Sequence, residues 1–366
     1  MCNVPKQGLY VVLASTLLSF PLSALASEFT KMDVPATQAS GQEYWTPERM
    51  RSAQPATMPA PWGSPAAPGS LIAPSSAEPA GKESGQPAKG GKQSALLSED
   101  LAAALALTGA FDLPVETAVD LSEETAIQPL AHTPPHTTFF VPTAFYGLQP
   151  YRTVGKVFFT SGGLNFVCSG SSAGNHAVLT AGHCVSNGAG SFHTNWRFAP
   201  RYLNGTASDG LWTAYRLGTF TAWHTAGNLC RDVGFAAVSN IGGLTLAQRV
   251  GALGFAWNQP TNNAWNILGY PAGAPFNGQS MVQTRANTSQ LDSPNGCTPF
   301  TVGTGTIQTG GTSGGPRIIN FLHNAVGAVN HANSVNSYIY VAHPRELFGP
   351  YFDTSVKSLR DFALTW

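Results

Sequence analysis

From about residue 145 onward the chain never carries an apolar run long enough for a buried helix. Short apolar or alternating runs appear instead, at 154–159, 177–180, 211–215, 233–238, 264–268, 280–284, 325–329 and 338–342, split by Gly, Asn and Pro. Many short strands separated by turn residues predict a β-barrel or β-sandwich. A helical period returns only at Thr354–Leu364, where Val356, Leu359 and Phe362 or Ala363 share one face, so a short C-terminal helix is expected. The roughly 220 residues of 145–366 suit one unit of two sub-barrels.

The first 144 residues have another texture. Lys6, an apolar stretch over 9–20 and the small-x-small run Ala24-Leu25-Ala26 read as a secretory signal over 1–26, too short for a membrane span, with the mature chain starting near Ser27. Residues 27–94 are rich in Pro, Ala, Gly and Ser without apolar periodicity, and are expected to be disordered. Leu96, Leu97, Leu101, Leu105 and Leu107 suggest a short amphipathic helix opened by Ser98. Together 27–144 reads as a mostly disordered pro-region, with a plain linker or stalk as the alternative. It holds six basic and thirteen acidic residues, a net −7, whereas 145–366 holds twelve and six, a net +6. That contrast makes the pro-region a candidate intramolecular inhibitor. No Lys/Arg cluster points to nucleic acid, and neither a membrane nor an oligomeric partner is expected.

Export implies an oxidising compartment. Of five cysteines, Cys2 leaves with the signal. Cys168 and Cys184 flank one expected hairpin and are paired on that ground, which leaves Cys230 for Cys297. A metal site is the weaker reading, because no Cys-x-x-Cys exists and the histidines are scattered.

Three short motifs carry chemistry. Thr180-Ala181-Gly182-His183-Cys184 offers an imidazole. Arg231-Asp232-Val233-Gly234 puts an acid at the head of an apolar run. Gly310-Gly311-Thr312-Ser313-Gly314-Gly315-Pro316 sets a hydroxyl among glycines. A serine hydroxyl needs an adjacent base, and that base needs a buried carboxylate to fix its tautomer. His183, Asp232 and Ser313 fill the three roles. Glycines allow the positive-φ turns that aim consecutive amides at one point, so the Gly311 and Ser313 amides are the expected oxyanion donors. The competing acids fit less well: Asp209 sits in a turn sequence, and Asp292 in a Ser/Pro/Asn/Gly segment.

Over 145–366 these motifs, in the order His, Asp, Ser, resemble the chymotrypsin-like serine protease family. The resemblance implies an all-β fold of two six-stranded antiparallel barrels with the triad in the cleft between them. It also implies a disulfide closing the histidine loop, as Cys168–Cys184 would. No cofactor is required. Digestive members carry Asp before the nucleophile to receive a new N-terminus, and Thr312 stands there instead, so charge-triggered activation is not expected. Uncharged residues at that place, with 151–156 and 268–271, are similar to the bacterial glutamyl endopeptidase branch. In trypsins an Asp six residues before the nucleophile binds Lys or Arg; Ile307 stands there, which argues for a non-basic P1 residue, Glu or small and polar. Gln308, Val329 and His331 are the other candidate pocket residues, the last two on an expected strand at 327–331. The expected function is a secreted serine endopeptidase, with a pseudoprotease-type binding protein or an esterase as alternatives. Asn204 and Asn287 open glycosylation sequons.

Overall fold

The computed structural model describes residues 27–35, 44–61, 63–66, 78–89 and 134–366. The expected signal peptide and the expected helix at 95–127 lie outside them. In chain order the N-terminal part contributes β1 (Phe29–Asp33), α1 (Pro47–Ser52), β2 (Gln54–Pro55), β3 (Gly81–Glu83) and β4 (His136–Phe140). The first barrel follows as β5 (Val154–Ser161), β6 (Leu164–Gly174), β7 (Ala177–Thr180), β8 (Thr194–Pro200), β9 (Trp212–Phe220), α2 (Thr221–Ala226) and β10 (Gly234–Val238). Then come α3 (Leu246–Val250), β11 (Gly254–Trp257), β12 (Ala264–Gly269), β13 (Val282–Asp292), β14 (Thr301–Gly305), β15 (Pro316–Ile319), β16 (His331–Val335), β17 (Tyr338–Tyr340), β18 (His343–Pro350) and α4 (Thr354–Leu364).

Strands β9, β10, β7, β6, β5 and β8 pair in that order, and β8 returns to β9, closing a six-stranded antiparallel barrel. Closure removes free edges and leaves an interior that side chains must fill. Phe158, Trp196, Phe198, Trp212, Leu217 and Phe235 are buried there. Both indoles keep a partner, Trp196 donating to the Cys184 carbonyl at 2.9 Å and Trp212 to that of Asp209 at 3.1 Å.

The second sheet runs β17, β18, β14, β13, β12, β15, β16, β11, β3, with β4 added on β13. It curls so that β18 returns to β16. The Ser334 hydroxyl donates to the Pro350 carbonyl at 2.9 Å, and a Cβ on Gly349 would stand 2.2 Å from the Val335 carbonyl oxygen. Only glycine permits so close a return. The α4 helix is capped by Asp353, whose carboxylate accepts from the Val356 amide at 3.0 Å, and it buries Val356, Leu359, Arg360 and Ala363.

The structure departs from the sequence reading in two places. Residues 325–329 form no strand. Asn320, Asn324 and Asn330 take φ of 52°, 52° and 56° and Gly327 takes 99°, so left-handed backbone turns this stretch into a loop. The strand falls at β16 instead. The expectation of disorder over 27–94 also does not extend to its described segments: β1 pairs antiparallel with β9, β2 parallel with β6, and β3 antiparallel with β11. Arg360 of α4 pairs with Glu83 of β3, and Phe362 stacks on Phe29 of β1 at 5.9 Å, so the C-terminal helix holds both ends of this wrap. Among the described residues no helix is long and apolar enough to cross a membrane.

Candidate active site

The β7–β10 register brings the first two chemical groups together. Thr180 faces Gly234, so the turn after β7 and the residues before β10 emerge at one end of the barrel. His183 lies on the short turn Gly182–Cys184, and Asp232 follows the turn Leu229–Arg231. A Cβ on Gly182 would stand 2.7 Å from the Trp223 ring and 2.8 Å from Asp232 Oδ1, so only glycine lets the two elements close on each other. The Cys168–Cys184 disulfide ties the turn back to β6, and Cys230–Cys297 joins the Asp232 segment to the second sheet.

Asp232 is fully buried. Its Oδ1 accepts the His183 amide at 2.7 Å. Its Oδ2 accepts His183 Nδ1–H at 2.7 Å and the Ser337 hydroxyl at 2.6 Å. A buried charge is tolerable when it is this fully hydrogen-bonded. The carboxylate can only accept, so Nδ1 carries the proton and Nε2 presents its lone pair. The His183 carbonyl accepts from His193 Nε2 at 3.0 Å. Burial pushes the His193 pKa down to about 4, so that ring is neutral.

Ser313 sits on the turn between β14 and β15, against the His183 loop. Its carbonyl accepts the Ser169 amide at 2.7 Å, and a Cβ on Gly314 (φ 76°) would lie 2.6 Å from the Ala181 nitrogen. Gly311 takes φ of 95°. Among the described residues the Gly311 and Ser313 amides have no hydrogen-bond acceptor. The turn is held by neutral bonds. Thr312 Oγ1 donates to Gln308 Oε1 at 2.5 Å, and Asn336 Nδ2 donates to the Thr312 carbonyl and hydroxyl at 3.1 and 3.0 Å. Gln308 Nε2 reaches the Ile267 carbonyl at 3.2 Å and Thr284 Oγ1 at 3.0 Å. His183 Nε2 and Ser313 Oγ are both buried without a hydrogen-bond partner. Orphaned buried polar atoms are costly and mark functional sites.

The candidate pocket residues scatter. Ile307 is half-buried beside the turn. Gln308 is buried and braces the turn. Val329 lies in the loop before β16. His331 opens β16, packed against Gly254 and 3.5 Å from Asn320, with its pKa lowered first by burial and then by the Lys82 charge. Ser337 was not found from sequence: a serine between Asn336 and Tyr338 has no local signature. Asp292 is buried, and its Oδ2 accepts the Tyr338 and Tyr340 hydroxyls at 2.6 and 2.8 Å. Cys168, His183 and Cys184 lie close enough together to suggest metal ligands, but both sulfurs are spent in the disulfide. A shallow groove bordered by His136, Trp265 and Arg285 on the second sheet holds none of these groups.

The chain is similar to the protease Anisep from Arthrobacter nicotinovorans, at 36% identity over 63% of this chain and 100% of that one, with a TM-score of 0.56. It is similar also to AL20, a thermostable serine protease from an extremophilic microorganism, at 34% identity over 61% and 99% of the two chains, with a TM-score of 0.54. No family model matches the chain, and no curated relative matches it.

Proposed function

The chain belongs to the chymotrypsin-like serine proteases, and from that premise we propose that it is a secreted endopeptidase working through His183, Asp232 and Ser313. The observation that carries the reading is the double acceptance of His183 by Asp232, through the backbone amide and Nδ1, which leaves Nε2 as a base aimed away from the carboxylate.

Ser313 Oγ attacks the scissile carbonyl carbon while His183 Nε2 takes its proton. Asp232 holds the tautomer and stabilises the imidazolium. The Gly311 and Ser313 amides receive the oxyanion, a contribution that is often the largest single one. The imidazolium then protonates the leaving amine, and water activated by His183 releases the acyl group. No cofactor enters these steps. Ile307 offers no anion to a cationic P1 side chain, so the preference is non-basic. The two disulfides suit an exported protein.

Prolonged incubation with a fluorophosphonate, followed by peptide mapping, is expected to place the label on Ser313 and to find none in Ser313→Ala. A label on another serine, or undiminished peptide hydrolysis by Ser313→Ala, would overturn the assignment.

A further inference from the structure

Ser313 has no solvent exposure, although it sits on the turn between β14 and β15. A segment of the same chain runs beside its turn, at Gly310. Ala56 donates its amide to the Val167 carbonyl at 2.9 Å, on the edge of β6 one residue before Cys168. Pro59 accepts the Ile339 amide at 3.3 Å, on β17 two residues after Ser337. Val167 therefore adjoins the disulfide that holds the His183 turn, and Ile339 adjoins the hydroxyl that binds Asp232. Three residues reach about 10 Å at most, so 56–59 crosses from one sheet to the other in a single extended stretch. On the way, Pro55 Cβ and the Ala56 carbonyl oxygen stand 3.3 Å from where a Cβ on Gly310 would be.

Met58, 7% exposed, is buried in the apolar cluster of the second sheet with Val302 and Leu347, against which Ile339 also packs. A flexible thioether fills such an irregular apolar site well. The segment Gln54-Pro55-Ala56-Thr57-Met58-Pro59-Ala60-Pro61 carries three prolines. Each fixes φ and removes a donor, so the stretch is pre-extended and loses little entropy on docking. Its flanks are fastened. Trp45 donates to the Asn195 carbonyl at 2.7 Å and Tyr44 to Asn165 Oδ1 at 2.8 Å on the first barrel. Ala66 donates its amide to Asp292 Oδ1 at 2.9 Å on the second sheet.

We infer that residues 54–61 are a built-in strap, an intramolecular ligand of the substrate cleft, with Met58 as its plug. The inference rests on the serine protease reading above. The strap uses the exposed edges of β6 and β17, which an extended peptide could otherwise join by strand addition. While seated it shuts off both Ser313 and the apolar site that Met58 fills. The cleft beneath it accepts an extended chain with an unbranched apolar side chain.

The test compares the rate of fluorophosphonate labelling of Ser313 in the full secreted chain, in Met58→Ala and in Met58→Asp. Weakening the plug raises the open population, so both variants are expected to label faster, by roughly 30-fold for Met58→Asp. An amidated synthetic peptide of sequence 53–61, added in excess, is expected to restore protection to the variants, and the same peptide with Asp for Met is not. Misfolding cannot imitate faster labelling, since an unfolded chain has no activated serine. Equal rates in all three proteins would overturn the strap and leave the protease reading standing. Faster labelling that the peptide does not reverse would assign the effect to a loosened fold and also overturn it. No labelling in any form would overturn the nucleophile assignment, and the strap's role with it.

Discussion

The two halves of the site are held by opposite means. On the first barrel, His183 is fixed by a charge: one buried carboxylate takes three hydrogen bonds, and a disulfide anchors the turn. On the second sheet, the Ser313 turn is fixed without one, by a chain of amide and hydroxyl groups from Thr312 through Gln308 and Asn336. In the proposed mechanism the base needs a fixed tautomer and a stabilised cation, which only an anion supplies. The turn proposed to receive the oxyanion needs only shape, and neutral bonds in a low-dielectric interior supply that provided every partner is present. The uncharged Thr312 thus has its hydroxyl committed to this network.

Four experiments break or sharpen this contrast. Asp232→Asn should be the most severe, since the amide leaves the wrong tautomer of His183; kcat on a peptide substrate is expected to fall by about 10⁴ with folding largely kept. A kcat within tenfold of wild type would show that the charge is dispensable. Replacing both Cys168 and Cys184 by Ser opens a loop of sequence separation 16, and the denaturant midpoint should report a loss of about 3 kcal/mol. Thr312→Val leaves Gln308 Oε1 without its donor, and is expected to cost about 1–3 kcal/mol of stability and to lower kcat more than it changes KM. An unchanged kcat would mean that the neutral chain is not what shapes the turn.

The smallest effect concerns acid. The folded pKa of His193, about 4, lies below its unfolded value of 6.5, so the unfolded imidazole binds a proton that the folded one refuses. This contribution to stability is present above pH 6.5, is lost as pH falls towards 4, and is constant below that. Chemical denaturation at pH 7 and pH 4.5 should show a smaller acid loss in His193→Gln than in wild type. The acid sensitivity then belongs to the His183 side, since the bonds named for the Ser313 turn involve no titrating group.

Much of this was legible in the residues. Gly182 beside His183, the apolar run after Asp232 and the glycines around Ser313 are local signals, and each has a local cause in close approach or positive φ. Ser337 was not legible, because its role exists only once β17 is brought beside Asp232. Strand β16 was missed because His-Ala-Asn-Ser-Val looks like a loop. Its polar side chains are buried and satisfied by distant partners, as when Asn333 donates to the Ala256 carbonyl at 2.8 Å. The alternative at 325–329 is apolar enough, but positive φ at Gly327 within it and at Asn324 and Asn330 on its two sides bends it. Strands β2 and β3 are two and three residues long, and their pairing depends on edges contributed by the rest of the chain.

The double fastening of the strap has a consequence for how such a chain would be switched on. Its upstream side is tied by β1, Tyr44 and Trp45, and its downstream side by Ala66, β3 and the Arg360–Glu83 pair. One cut near residue 144 would therefore leave a nicked two-chain complex with the cleft still filled. What changes is the local concentration: a covalent tether holds a ligand at an effective millimolar level, and severing it makes rebinding bimolecular. Activity after the cut should then emerge with a lag that dilution does not shorten but to a final level that dilution raises, so the clock for activation is dissociation rather than cleavage.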